Sequence, residues 1–197
     1  MIVGICGLIG SGKGTIGDIL VEEHNFQKIA FADKLKDAVS VLFDWDRSLL
    51  EGDTEKSRDW RNQPDEFWSN ELKKEVSPRL VLQLFGTECM RNGFFDGVWI
   101  SFVKKTLIEN PDTNYVITDV RFPNEISLIN QLNGQVWWVK RGKLPEWFVN
   151  YQTMNIIPED VHPSEWEWAK SDFHHIIENN KSFEDLKNQV EDLLVSK

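Results

Sequence analysis

Met1–Cys6 is an unbroken apolar run of the length expected for a strand buried on both faces. A glycine-rich turn follows it, and then a helix over Lys13–His24. Gln27–Phe31 reads as a second short strand. Asp33 is placed to cap a helix through Phe43, whose Leu35, Ala38, Val39 and Leu42 share one face. Trp45–Lys74 is polar, with Arg47, Arg58, Trp60 and Arg61 scattered through it. Pro78 suits a first helical turn and opens a helix to about Arg91. A further helix is expected over Gly97–Ile108. Tyr115–Thr118 is an apolar strand delivering Asp119, and Glu125–Leu132 is helical before Gly134. Gln135–Lys140 reads as a strand, Lys143–Pro163 as an irregular insertion, Phe173–Ile177 as a strand and Ser182–Leu194 as a closing amphipathic helix.

Strands alternating with helices predict an α/β fold, a parallel sheet covered on both faces. Right-handed crossovers bring every strand's C-terminal end to one rim, where open α/β sheets bind ligands. Gly7, Asp119 and Arg141 all follow strands, so the chemistry is expected there. The 197 residues suit one domain over 1–197, with 45–74 and 143–163 as its mobile segments. No apolar run approaches the roughly 20 residues of a membrane span, and the N-terminus lacks the basic leader of a signal peptide. Cys6 and Cys89 have neither metal nor disulfide spacing, which fits a reducing cytoplasm. A formal net charge of −10 argues against a nucleic-acid surface but not against a small phosphate ligand, because a few converging cations dominate locally.

Gly7–Lys13, GLIGSGK, fits G-x-x-x-x-G-K between a strand and a helix, as a phosphate loop requires. Gly10, Ser11, Gly12, Lys13 and Gly14 would turn backbone N–H groups around phosphate oxygens. The helix N-terminus adds partial positive charge, and Lys13 reaches the β- and γ-phosphates. Gly14 stands where many such loops carry Ser or Thr, and the hydroxyl arrives one place later at Thr15. Thr15 is therefore a candidate for Mg²⁺ or for a phosphate. Val116–Asp119 has the form of a strand bringing a carboxylate to the rim, and Asp119 is the second candidate for the metal or its waters. Arg121 projects from the same loop, and its planar fork suits a phosphate. Glu125 opens the next helix, where its charge suits the dipole whether or not it binds anything.

FADKLK (Phe31–Lys36), SPRLVLQLFGTECMR (Ser77–Arg91), VITDVRFPNE (Val116–Glu125), HPSE (His162–Glu165) and DFHHIIENNKSFEDL (Asp172–Leu186) occur in that order. Together they resemble the deoxynucleoside monophosphate kinases of tailed bacteriophages. The resemblance implies a P-loop kinase: a three-layer α/β sandwich with a five-stranded parallel sheet and a mobile lid, using ATP and Mg²⁺. It further implies that the acceptor is held by Lys36, Arg61 or Arg58, Arg79, Gly86, Thr87, Trp99, Asp119, Arg121 and Glu125. Asn179 corresponds to a loop near the donor adenine. Lys36 and Arg79 are chemically suited to a phosphate, and Trp99 to stacking on a base or to core packing. His162 and Glu165 either form a capping pair or line the site.

The reaction so implied gives ADP and a deoxynucleoside diphosphate, with Lys13, Asp119 and Arg121 at the transferring group. An acceptor phosphate oxygen is already anionic at neutral pH, so no general base is needed, only in-line positioning and charge neutralisation. Kinases for dephospho-coenzyme A or phosphomevalonate share the loop and stay open as alternatives, as does a nucleotide-binding module without an acceptor. The expected partners are small molecules, with neither a nucleic-acid polymer nor a membrane. A homodimer is left open.

Overall fold

In the computed structural model, which describes residues 1–195, five strands form one parallel sheet in the order β2-β3-β1-β4-β5. They are β1 (Ile2–Cys6), β2 (Phe26–Ile29), β3 (Asn114–Ile117), β4 (Gln135–Lys140) and β5 (His175–Glu178). The central strand β1 pairs Gly4 with Ile117 on one side and Cys6 with Trp138 on the other. The loops after β1, β3, β4 and β5 therefore leave from one rim, as the alternation of elements predicts.

The chain divides into two compact units, 1–30 with 104–197, and 31–103. In the first, helix α1 (Lys13–His24) and helix α9 (Phe183–Val195) close on the sheet through Ile16, Ile19, Leu20, Leu186 and Val190, which meet Val3, Ile5, Val116, Trp137, Val139 and Ile177. Complete burial of such side chains contributes roughly 1.5–3 kcal/mol each before entropy is counted.

The second unit is helical. It contains α2 (Asp33–Phe43), α3 (Glu55–Asn62), α4 (Glu66–Leu72) and α5 (Pro78–Gln83). Val39, Trp45, Leu50, Val76 and Val81 form its core, with Phe43, Trp60 and Trp68 against them. Trp45 stacks on Phe43 with ring centroids 4.7 Å apart, and its indole N–H donates to the Asp65 carboxylate at 3.0 Å. The stretch expected to be simply polar thus folds into two short helices held down by its own aromatics. The unit's boundary falls within α6 (Val98–Glu109).

Four expectations need correction. Ala32, not Asp33, is the N-cap of α2, and Asp33 instead sits in the first turn, accepting from Arg47 at 3.3 Å. The helix from Pro78 widens at Leu84 into a π-helix running to Asn92. The insertion at Lys143–Pro163 contains helix α8 (Glu146–Met154), whose Phe148 is fully buried beside Trp138 and Trp168. The last strand starts at His175 rather than Phe173. Helix α7 (Pro123–Gln131) follows β3, and short 3-10 turns at Pro163–Glu165 and Glu167–Lys170 precede β5. Among the described residues no helix is long and apolar enough to cross a membrane.

Candidate functional site

The loop after β1 is shaped by backbone that only glycine adopts easily. Gly10 and Gly12 lie at φ +77° and +106°, and a Cβ on Gly12 would fall 2.3 Å from the Asn179 side-chain nitrogen. That nitrogen donates to the Ser11 carbonyl at 2.8 Å, while Asn179 N donates to the Lys140 carbonyl at 2.7 Å. Asn179, expected near a donor base, braces the phosphate loop against the end of β4. Ser11 is 4% exposed, and its hydroxyl finds no hydrogen-bond partner among the described residues. A buried hydroxyl left unpaired is costly, and a phosphate oxygen held in the loop would satisfy it.

Lys13 curls back over this loop, donating to the carbonyls of Gly7 at 2.6 Å and Leu8 at 2.9 Å. Burial pulls its ammonium down from 10.5 to about 8, and the Arg121 guanidinium adds to the effect. Glu165, Cys6 and Asp119 push the other way. Those opposing influences place Arg121, Asp119 and Glu165 within Coulombic reach of Lys13. The Cys6 thiol, buried beneath the loop, is driven far above its ordinary value by burial and then by Glu125. It is a core residue and not a nucleophile.

Asp119 is half-buried, two residues past β3. Arg121 follows, its backbone N–H donating to Glu125 Oε2 at 2.7 Å, and Phe122 N–H donates to the same oxygen at 3.1 Å. Glu125 is 2% exposed. Expected among the acceptor contacts, it fixes the turn that carries Asp119 and Arg121 into α7. The Arg121 side chain meets Glu165 Oε1 at 2.5 Å and the Ser164 hydroxyl at 3.3 Å. Thr15 is half-buried in the first turn of α1. A cavity of about 430 Å³ lies beside the phosphate loop, lined by Leu8–Ser11 together with Lys140, Arg141, Lys143, Trp147 and Glu165. The larger opening near Asn133 and His174, about 590 Å³, lies at the other ends of β4 and β5, away from these groups.

The helical unit gathers a second set of cations around Glu51. Lys36, with a side chain 12% exposed, donates to Glu51 Oε2 at 2.6 Å. Arg47 bonds Glu51 Oε1 as well as Asp37 at 2.8 Å. Arg61 donates to the Leu50 and Glu51 carbonyls at 3.2 and 3.3 Å. Arg58 is exposed and holds only the Asp53 carbonyl, so Arg61 is the arginine at this corner. Arg79 is exposed and reaches Asn62 Oδ1 at 3.5 Å. The sequence shows Arg47 only as one of several scattered arginines and does not single out Glu51, although their i,i+4 spacing is legible there.

Gly86 and Thr87 lie on the π-helix. Thr87 is exposed, whereas Gly86 is buried where a Cβ would meet Leu35 at 2.8 Å, so Gly86 serves close packing of α2. Trp99, expected either to stack on a base or to pack in the core, has a ring 5% exposed and an indole N–H that donates to the Gly86 carbonyl at 3.0 Å.

The family model for deoxynucleotide monophosphate kinases matches residues 53–190. A provisionally named deoxynucleotide monophosphate kinase of Acanthamoeba polyphaga mimivirus is 28% identical over 203 residues, covering 96% of this chain and 94% of the relative. The deoxynucleoside-5'-monophosphate kinase of Escherichia phage T5 is 40% identical over 58 residues, 29% of this chain and 23% of its own. Among solved structures, TT1252 from Thermus thermophilus aligns over 98% of this chain and 96% of its own, with a TM-score of 0.50 at 17% identity. That last likeness concerns the fold alone.

Proposed function

The chain belongs to the deoxynucleotide monophosphate kinase family, and from that membership we infer the reaction: the γ-phosphate of ATP passes to a deoxynucleoside 5'-monophosphate, leaving ADP and the diphosphate. The observation that carries the donor half lies outside the matched 53–190 segment. It is the glycine loop at Gly7–Lys13, with a buried unpaired Ser11 hydroxyl and a lysine folded onto the loop's own carbonyls. Family membership carries the acceptor half and sets aside dephospho-coenzyme A and phosphomevalonate.

In this reading the backbone N–H groups of Gly10–Thr15 and the Ser11 hydroxyl hold the donor phosphates, and Lys13 leaves the Gly7 and Leu8 carbonyls for the β- and γ-oxygens. Asn179 keeps the loop in shape. The cavity lined by Lys140, Arg141 and Lys143 supplies further positive charge beside the triphosphate. Lys36, Arg61 and Arg79, with the exposed Thr87, meet the acceptor, and Arg121 meets charge on the transferring group.

Mg²⁺ arriving on a triphosphate needs only one or two protein oxygens. The rim offers two, Asp119 and the Thr15 hydroxyl, each half-buried within reach of the loop. When bound there it would neutralise the β- and γ-oxygens. Closure of segments 45–74 and 143–163 would exclude water and suppress idle hydrolysis. The two thiols, one buried and one exposed, suit a reducing cytoplasm, that of the host if the gene is viral.

The test is a coupled ADP-release assay with ATP, Mg²⁺ and each dNMP and NMP in turn, with dephospho-coenzyme A and phosphomevalonate beside them. At least one dNMP should be turned over far faster than either competitor. ADP release above the ATP-only background with a competitor, and with no dNMP, overturns the reading.

A further inference from the structure

The HPSE segment has no part in the transfer described so far, yet it grips the arginine assigned to the transferring phosphate. Arg121 Nη1 donates to Glu165 Oε1 at 2.5 Å and to the Ser164 hydroxyl at 3.3 Å. Ser164 Oγ lies 2.8 Å from His162 Nδ1, and Glu165 N donates to the His162 carbonyl at 2.9 Å. The next residue anchors this turn: Trp166 is 8% exposed, lies edge-on to Tyr151 with centroids 4.6 Å apart, and donates its indole N–H to the Val161 carbonyl at 2.9 Å. The carboxylate is therefore presented by a short, well-fastened turn. At its other end Arg121 is clamped through its backbone by Glu125.

The guanidinium is held on one nitrogen only. Nε and Nη2 have no hydrogen-bond partner among the described residues, and together they form the side-on edge whose parallel N–H groups fit two oxygens of one phosphate. A free arginine side chain samples many rotamers, and ordering it on binding costs entropy. A tether at Nη1 removes much of that beforehand while leaving the recognising edge open.

We propose that Glu165 is a positioning residue for phosphoryl transfer: it holds Arg121 by Nη1 so that the ordered Nε/Nη2 edge meets the phosphoryl oxygens. Ser164 and His162 steady the tether from behind. The inference rests on the kinase reading above. It differs from a competing-anion role because the phosphate takes an edge that Glu165 does not occupy.

The experiment is a double-mutant cycle with steady-state kinetics at saturating ATP and varied dNMP, on folded variants checked by melting. Glu165→Ala should lower kcat about tenfold with the KM for dNMP changed less than about threefold. Glu165→Gln, which keeps an acceptor but not the charge, should recover part of the loss, and it stands in should the alanine variant fail to fold. In an Arg121→Ala background the Glu165→Ala change should matter less than about twofold. Equal losses in both backgrounds overturn the proposal, as does wild-type or raised kcat in Glu165→Ala.

A second measurement does not depend on turnover. The Arg121 side-chain nitrogen resonances, assigned by their disappearance in Arg121→Lys, should report a guanidinium restricted in the wild type and freely averaging in Glu165→Ala. Averaging in both would show no tether. A wild-type enzyme releasing no ADP with any dNMP would instead strike the kinase reading and leave the tether to be decided by the resonances.

Discussion

Nucleotide binding should draw a proton onto Lys13 in mildly alkaline solution. In the ligand-free protein burial and the nearby Arg121 pull this ammonium from 10.5 to about 8. The sign follows directly. Below pH 8 Lys13 is charged in the folded and unfolded chains alike, and the folded state bears the whole penalty. Between pH 8 and 10.5 the unfolded chain binds more protons, so this group's contribution to stability rises with pH through that window. At about 1.4 kcal/mol per pH unit the full effect is roughly 3 kcal/mol. A bound polyphosphate reverses the balance and restores the charged form. With a ligand-free value near 8, uptake on binding should be about 0.1 proton at pH 7 and about 0.75 at pH 8.5. Calorimetric titration with ADP and Mg²⁺ in two buffers of unlike ionisation enthalpy reads the number directly, and at pH 8.5 the nucleotide's own phosphate is fully ionised. Lys13→Arg keeps a charge that does not titrate, so its uptake should vanish. Wild-type uptake below about 0.2 at pH 8.5, or equal uptake in Lys13→Arg, would refute the argument.

Gly12→Ala must place a side chain at φ +106° against Asn179, and should lose about 1–3 kcal/mol in urea unfolding along with most nucleotide affinity; wild-type values of both would show a pliable loop. Arg79→Ala should chiefly raise the KM for dNMP, since it meets a charge present in the ground state, and unchanged kinetics would remove it from the acceptor site. Arg121→Ala should chiefly lower kcat, by roughly 30- to 1000-fold, and a normal kcat would leave the transferring group to Lys13 and Asp119. Trp99→Phe should forfeit its bond to the Gly86 carbonyl, about 1 kcal/mol by denaturant midpoint, with the KM for dNMP unmoved; a tenfold rise without lost stability would return Trp99 to the substrate.

The parts legible from sequence are those where local chemistry leaves one choice. The apolar run of β1, the glycines and Lys13 specify strand, loop and helix together, and α1 begins and ends at Lys13 and His24 as its pattern suggests. Asp119 and Arg121 reach the rim because β3 pairs directly with β1. Trp99 was ambiguous because an indole suits a base or a core equally well. Only the fold supplies the Gly86 carbonyl that takes its N–H. Glu125 was similarly two-sided, a carboxylate at a helix start that turned out to hold two backbone N–H groups. The π-helix has no compositional signature apart from that of an α-helix, so Leu84–Asn92 read as ordinary helix. Helix α8 was hidden by Gly142, Pro145, Pro158 and Pro163, which read as loop, although Pro145 and Glu146 are good start signals and Phe148 and Tyr151 share a buried face.

In the structure the cations assigned to the two anionic substrates are already engaged by the protein itself. Lys13 rests on two carbonyls, Arg61 on two more, Lys36 on Glu51 and Arg121 on Glu165. In a chain of formal charge −10 this keeps the side chains ordered without a ligand. The partnerships must then be weak enough to exchange, and Lys36 is the hardest case, its side chain only 12% exposed. If its departure left Glu51, about a third exposed, without a cation, the released carboxylate would oppose binding, though solvent screens part of the cost. Arg47 prevents this. Burial alone would raise the Glu51 carboxyl, but hydrogen bonds and charge from both Lys36 and Arg47 outweigh it and hold it below the usual range. When Lys36 turns to an acceptor phosphate, Glu51 keeps Arg47, and the lysine exchanges a shared carboxylate for a dianion of its own. Arg121 needs no such exchange, since the edge that suits a phosphate is the one Glu165 leaves open.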